Sequence, residues 1–358
     1  MFKTYEKYII KNFINKILTV SLVFFSLIII LSILEEISFF KNLEVNFLFP
    51  YFLTLLSAPI TLFEMFPFIF LISTQFLFFD LFRKEELSLL KINGLSNLKI
   101  IKLLFFSSLI MGLLTVFIYY NAASKLKFFY TDIKNNFSND NKYLAVVTDS
   151  GLWLKDEVKE NILIVKATNI KNNYLVDVII YKFNKNFILE NTIQSKEIDI
   201  SQKKWVIKDS FITEENITNN FQNLEIEKNI DQKKINNLFS NVSTLNILEL
   251  FDLKKDYENL GYSSDEIVIH MLKLFSTPFF YGVLTIMSAI IMFNFKKDKS
   301  LFFHVILGIL MSVIIYYVNF MFSSLGNNGK IPIVVSIFLP ILFISIFAII
   351  GLIRVNEK

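Results

Sequence analysis

Six long apolar runs, set in two groups of three around a polar middle, most constrain what this chain can fold into. They fall at about Asn15–Leu34, Phe47–Phe79 and Ile100–Tyr120, then Val268–Phe295, Leu301–Phe322 and Ile331–Ile353. Each meets or exceeds the roughly 20 residues that a helix needs to cross a bilayer. With 54% of the 358 residues hydrophobic and gathered into runs, a soluble domain is excluded and an integral membrane protein is expected. The second run is too long for a straight span and holds Pro59 and Pro67, which predicts a kinked or broken helix. The chain has no cysteine, so disulfides and thiol chemistry are excluded.

Lys and Arg then set orientation. Lys3, Lys7 and Lys11 precede the first run, and Arg83, Lys84, Lys91 and Lys99 lie between the second and third. Lys296, Lys297 and Lys299 join the fourth and fifth, while Arg354 and Lys358 close the chain. All four sets fall on one side, which the positive-inside rule makes cytoplasmic. Both termini are therefore expected inside and the polar middle on the far side. The first run lacks a small-residue cleavage site and is followed by Glu35, Glu36 and Lys41, so it reads as a retained anchor and not a secretory signal.

The middle alternates as β-structure does. Ala145–Val147, Leu152–Leu154, Ile162–Lys166, Leu175–Phe183, Phe187–Asn191, Glu197–Ile200 and Trp205–Ile207 are candidate strands. Asp149-Ser150-Gly151, Asn184-Lys185-Asn186 and Ser201-Gln202-Lys203 are turns between them. This spacing suggests a sandwich or an open roll. A helix follows over about Thr244–Leu260, stopped by Gly261, and Ser263 to Glu266 forms a capping box for the fourth span. The expected fold class is an α-helical membrane protein of six transmembrane helices (3 + 3) with an inserted periplasmic all-β domain. The expected divisions are 1–121 for the first three helices, 122–243 for the β-domain, 244–265 for a helical connector and 266–358 for the last three helices.

Between the second and third runs, DLFRKEELSLLKINGLSN (Asp80–Asn97) reads as a short charged helix over about 81–93. Asn93-Gly94 stops it and Ser96 caps the next helix. A charged helix offered to the cytoplasm by an otherwise oily protein suits a transporter moved by an external motor. The plainer alternative is a solvated loop, which the apolar positions and the defined stop disfavour.

Other polar residues admit two readings. Glu64 lies inside the second run, where an ionisable group is costly and functional by default, unless a kink exposes it to water. Glu35 and Glu36 read as the polar edge of the first span. His270 and His304, the only histidines, make a poor metal site and read as packing residues, so no metal or cofactor is expected. Trp153 and Trp205 lie on strands, where a core role is expected.

Several segments together carry a resemblance. They are LLSAPITLFEMFPFIFL (Leu55–Leu71), ELSLLKINGLS (Glu86–Ser96), GLWLKD (Gly151–Asp156), IIYKFNKNFILENTIQSKEIDISQKKWVIKD (Ile179–Asp209), and YENLGYSS running into a helix with Pro278. In this order, and over nearly the whole chain, they resemble the LptF/LptG permease family of the lipopolysaccharide export ABC transporter in the Gram-negative inner membrane. GLWLKD and Lys204-Trp205 favour the G branch.

The resemblance implies a non-catalytic subunit that takes lipopolysaccharide from the inner membrane. Its implied partners are an LptF-like second permease, two LptB-like cytoplasmic ATPases and an LptC-like single-span bridge protein, with no nucleic acid. The β-domain would be jellyroll-like and sit in the periplasm. Glu86 matches the family's coupling-helix carboxylate, and Glu85, Arg83, Leu87, Leu90 and Gly94 complete the implied ATPase contact. Family members can carry a lysine late in the first span and another after the first proline of the second. Here those stretches read Leu31-Ser32-Ile33 and Pro59-Ile60-Thr61. Lys41, Lys125, Lys127 and Glu64 are the remaining lipid-binding candidates, although lysines beside spans also simply snorkel.

Two other classes compete. A membrane enzyme would show a motif such as H-E-x-x-H or G-x-S-x-G, and none occurs. A structural or signalling protein displaying the β-domain needs fewer than six spans. No G-x-x-x-x-G-K-[ST] occurs either, so nucleotide hydrolysis would belong to a partner.

Overall fold

The computed structural model describes residues 3–41, 43, 45–135, 137, 152–158, 161–171, 174–201, 204–214, 217–227, 241–259, 263–293 and 301–356. The expected strand at Ala145–Val147, the turn at Asp149 to Gly151, the stop at Gly261 and the bases Lys296, Lys297, Lys299 and Lys358 lie outside these residues. The chain divides into two compact units, Met1–Lys127 with Asp265–Lys358, and Phe128–Ser264.

In the helical unit, α1 covers Thr4–Phe40, α2 Phe49–Arg83, α3 Glu86–Ile92 and α4 Asn97–Leu114. A π-turn at Thr115–Tyr120 leads into α5, Asn121–Asn135. The later helices are α7 (Asp265–Phe293), α8 (Leu301–Asn327) and α9 (Ile333–Asn356). Among the described residues, six helices are long and apolar enough to cross a membrane, with Asn97–Lys134 forming one of them. Each extends beyond its apolar run at one or both ends. Glu35 and Glu36 therefore lie within α1, just past its apolar run, and Glu36 is buried.

α2 is not broken at its prolines, because it runs from Phe49 to Arg83 with both inside. A proline cannot donate to the carbonyl one turn back, and in lipid each freed backbone group needs a substitute. Pro59 and Pro67 thus leave the Leu55 and Phe63 carbonyls without a helical N–H, and hydroxyls bond to other carbonyls of this stretch. Thr54 Oγ1 donates to Pro50 O at 2.9 Å, Ser57 Oγ to Thr54 O at 3.2 Å, and Tyr119 Oη to Pro59 O at 3.0 Å.

α7 packs against α2, α4, α8 and α9 and so forms the hub of this unit. Lipid tails are as apolar as leucine, so helices in a bilayer are held by close packing and interhelical hydrogen bonds. Both are present. Phe70 of α2 stacks on Tyr281 of α7 at 4.4 Å between centroids. The Ser108 and Thr285 hydroxyls are 2.7 Å apart, and Ser288 Oγ donates to Leu71 O at 2.7 Å. Gln75 Nε2 donates to His304 O at 3.0 Å.

The second unit holds one antiparallel sheet. Its strands are β1 (Leu152–Val158), β2 (Asn161–Ala167), β3 (Asn169–Lys171), β4 (Tyr174–Asn184), β5 (Leu189–Asp199), β6 (Lys204–Glu214) and β7 (Ile217–Glu227). Their order is β1-β2-β4-β5-β6-β7, with β3 also paired to β4. Apart from the short β3, the described strands are thus sequential neighbours, an up-and-down meander, and the crossing connections of a jellyroll are not among them.

The two segments expected at Phe187–Asn191 and Glu197–Ile200 are parts of one strand region, and β7 was not expected at all. In β5 the buried positions change phase between Ser195 and Ile198, and Ile217 to Gln222 of β7 are all exposed, so no alternation marks either strand as a whole. β4 and β6 change face as well. In β4, Leu175 is buried, Asp177 has φ 49°, and Val178 and Ile180 are buried beyond it. In β6, Trp205 and Ile207 are buried before Asp209, also at φ 49°, and Ser210 after it. Such irregularities shift the two-residue alternation by one, so a strand reads as two short ones.

Trp205 is fully buried, as expected, but Trp153 is 38% exposed, and the Lys166 ammonium lies 5.2 Å from its ring centroid. After the sheet, a 3-10 turn at Val242–Thr244 precedes α6 (Ile247–Asn259). Asn246 and Glu249 cap α6 reciprocally, each accepting the other's backbone N–H at 3.0 Å.

Candidate functional site

The charged segment between α2 and α4 folds differently from one helix over 81–93. α2 continues through Arg83, and the chain breaks at Lys84 and Glu85, where Glu85 takes a left-handed backbone (φ 57°). Glu86 is therefore the first residue of α3, in the turn where a carboxylate complements the unpaired N–H groups. The stop is as expected. Gly94 has φ 82°, its N–H donates to Lys91 O at 2.9 Å, and Leu95 N donates to Leu90 O at 3.1 Å, which is a Schellman ending. Ser96 Oγ accepts from Lys99 N at 3.3 Å and caps α4.

α3 has two faces. Leu87 is buried in the core of the helical unit beside Leu81 and Ile100, and Leu90 packs half-buried against the same core. Leu89 and Ile92 are exposed, Ile92 at 81%, and Glu85 and Lys91 are exposed with them. Leu87 is thus an anchor, and Leu89 and Ile92 are the apolar groups left for a partner. Glu86 is half-buried and turns inward. Its Oε2 accepts a 2.8 Å hydrogen bond from the Tyr8 hydroxyl of α1, and its Oε1 lies 4.0 Å from Lys84 Nζ. Lys16 of α1 is ion-paired with Asp80 of α2 in the same cleft, whose volume is about 190 Å3.

These contacts gather the base-bearing helix ends. The Tyr8–Glu86 bond joins the start of α1 to α3, and Asn97 Nδ2 donates to Val355 O at 3.2 Å, joining the start of α4 to the end of α9. Lys7, Arg83, Lys84, Lys99 and Arg354 therefore sit on elements that meet at one end of the helical unit.

A second cluster lies among the spans. Glu64 of α2 is exposed on the helical unit and interacts electrostatically with Lys127 of α5 and Lys273 of α7. Three residues before Lys273, His270 Nε2 is 2.8 Å from the Tyr120 hydroxyl. Lys273 was missed by sequence reasoning, although a lysine inside an apolar run is itself a signal. Lys41 stands exposed just past α1 and Lys125 exposed on α5. The bases brought to Glu64 are Lys127 and Lys273, not these two. Pro59 accepts from Tyr119 as described, and Pro67 is partly buried in α2.

Six membrane-length helices with an antiparallel sheet inserted between the third and fourth define a multi-pass membrane protein carrying a β-domain. Residues 7–354 match the family described as lipopolysaccharide export system permease LptF/LptG, and the chain belongs to that family. Membership makes it a transporter permease of the inner membrane, not an enzyme. A direct comparison with curated proteins finds no match.

Proposed function

We propose that this chain is a permease subunit of the G type that extracts lipopolysaccharide from the inner membrane and passes it to a periplasmic bridge, driven by ATP hydrolysis in trans. Both termini and α3 face the cytoplasm in this reading, and the β-sheet unit faces the periplasm. An LptF-like subunit completes the membrane part, two LptB-like ATPases supply the motion, and an LptC-like protein continues the bridge.

The observation that carries the reading is the two-faced α3, within a chain that matches the permease family over almost its whole length. Leu87 and Leu90 fasten the helix to the membrane unit, while Leu89, Ile92 and Glu85 face outward as a soluble partner requires. A rigid element that touches both the motor and the spans is what force transfer needs. Lys127 and Lys273, with Glu64 tempering their charge, are the candidate group for anionic headgroups, and Lys41 and Lys125 are separate candidate bases. GLWLKD and Lys204-Trp205 support the G assignment.

Leu89→Asp and Ile92→Asp test the dock. The variants should insert and accumulate normally, yet lose the co-purified ATPase and lipid export. Retention of a stoichiometric ATPase and normal export by both would remove α3 as the docking element. Leu87→Ala should instead lower the stability of the subunit by about 2 to 4 kcal/mol, the usual range for a buried leucine.

A further inference from the structure

We propose that Tyr8 is a positioning residue for Glu86, and that through it the first turns of α1 move with α3. The inference rests on the reading of α3 as the place where the ATPase acts.

The geometry is specific. The 2.8 Å bond from the Tyr8 hydroxyl to Glu86 Oε2 spans 78 residues of sequence and is a direct side-chain link from α1 to α3. Asn12, one turn further along α1, interacts with the same hydroxyl. Asn12, Asn15, Lys16 and Thr19 of α1 line the cleft with Asp80 and Glu86, and the Lys16–Asp80 pair closes its α2 side. Glu86 Oε2 is thus held on the α1 side of this cleft by the Tyr8 hydroxyl.

Backbone geometry makes that hold consequential. Glu85, the residue before α3, has the left-handed φ of 57° that a non-glycine residue adopts at a cost, and Gly94 behind it has φ 82°. α3 is a single short helix between two such points. Leu87 anchors one side of it apolarly, and the charge-assisted Tyr8 bond fixes its first turn by direction. A load on Leu89 and Ile92 reaches α2 through the chain, but reaches α1 at this point through Tyr8.

Tyr8→Phe removes the donor and keeps the ring. In the intact transporter, purified with its own ATPase and reconstituted with lipopolysaccharide, the variant should keep its ATPase stoichiometry. ATP consumed per lipid released should rise severalfold, because the motor's stroke on α3 would no longer be delivered to α1 through this bond. Adding Tyr8→Phe to Glu86→Ala should change nothing more, because the acceptor is already gone. An unchanged ratio in Tyr8→Phe, alongside a defective Ile92→Asp, overturns the role of Tyr8 and leaves the dock standing. An equal further loss in the Glu86→Ala background also overturns it, since Tyr8 would then act elsewhere. Normal export from both Tyr8→Phe and Ile92→Asp removes the dock and this inference with it.

Discussion

Gly112 of α4 lies so close to Pro278 of α7 that a Cβ on it would stand 2.6 Å from the Pro278 Cα. The contact joins α4 to the hub helix just before the π-turn, and its near neighbour is backbone, which cannot rotate away. Small residues allow this approach where helices pack without a hydrophobic drive between them.

Gly112→Leu should therefore force α4 and α7 apart and destabilise the subunit by about 1 to 3 kcal/mol or more, the range for overpacking. Gly94→Ala meets no atom, and its cost should be the left-handed backbone alone, about 1 kcal/mol. Thermal unfolding in detergent, followed by aggregation of the purified chain, checks the order. A Gly112→Leu protein as stable as wild type would contradict the close approach.

Reversing charge at Glu86 breaks the bond from Tyr8 and places an ammonium beside Lys84, within a cleft already holding Lys16. Glu86→Lys should abolish lipid export while the protein still inserts. Glu85→Lys should be milder, because Glu85 is exposed at the chain break. Export assays on both variants at matched membrane levels decide the matter, and equal near-wild-type export would count against α3 as a force-bearing element.

Lys273→Gln should reduce the lipopolysaccharide that co-purifies with the complex, and Lys273→Gln with Lys127→Gln should reduce it further. Two bases near Glu64 leave one net positive charge, and removing either base neutralises the group. Glu64→Gln should do the opposite and increase bound lipid. If bound lipid is unaffected by all three changes, the cluster is structural.

Because the base-bearing ends of α1, α4 and α9 meet beside α3, they should share the cytoplasmic side. A reporter active only outside the cytoplasm should work when fused at Asn191 in β5 and fail when fused at Lys297. The reverse pattern would overturn the orientation.

Among the described strands β7 is last in the order of the sheet, and Ile217 and Phe221 on it are exposed. An open edge invites strand addition. A photo-crosslinker at Phe221 should trap a β-rich periplasmic partner, and one at the buried Ile207 should not. Failure to trap any partner from Phe221 in membranes that export lipid would make this edge an unused one.

The six spans, the polar middle, the stop at Gly94 and the cap at Ser96 were legible in the sequence. Each is decided by local composition or by one residue's backbone preference. A bilayer leaves no water for backbone groups, so an apolar run of sufficient length has little choice but helix. The helix expected over about 81–93 begins instead at Glu86, because Glu85 takes a turn conformation that no sequence signal marks. β5 reads as two pieces because its buried positions change phase between Ser195 and Ile198, and β7 escapes notice because Ile217 to Gln222 are all exposed and present no buried face.

What only the tertiary structure decided is which polar groups meet. Tyr8 finds Glu86 across 78 residues, Gln75 finds the His304 carbonyl across 229, and Lys127 and Lys273 come to Glu64 from different helices. Leu87 and Leu89, two residues apart and chemically identical, are divided into an anchor and an exposed face. Sequence fixes that a helix is apolar or charged, because that depends on its own residues and the solvent. It does not fix which face turns inward, because that depends on the packing of every neighbouring helix at once.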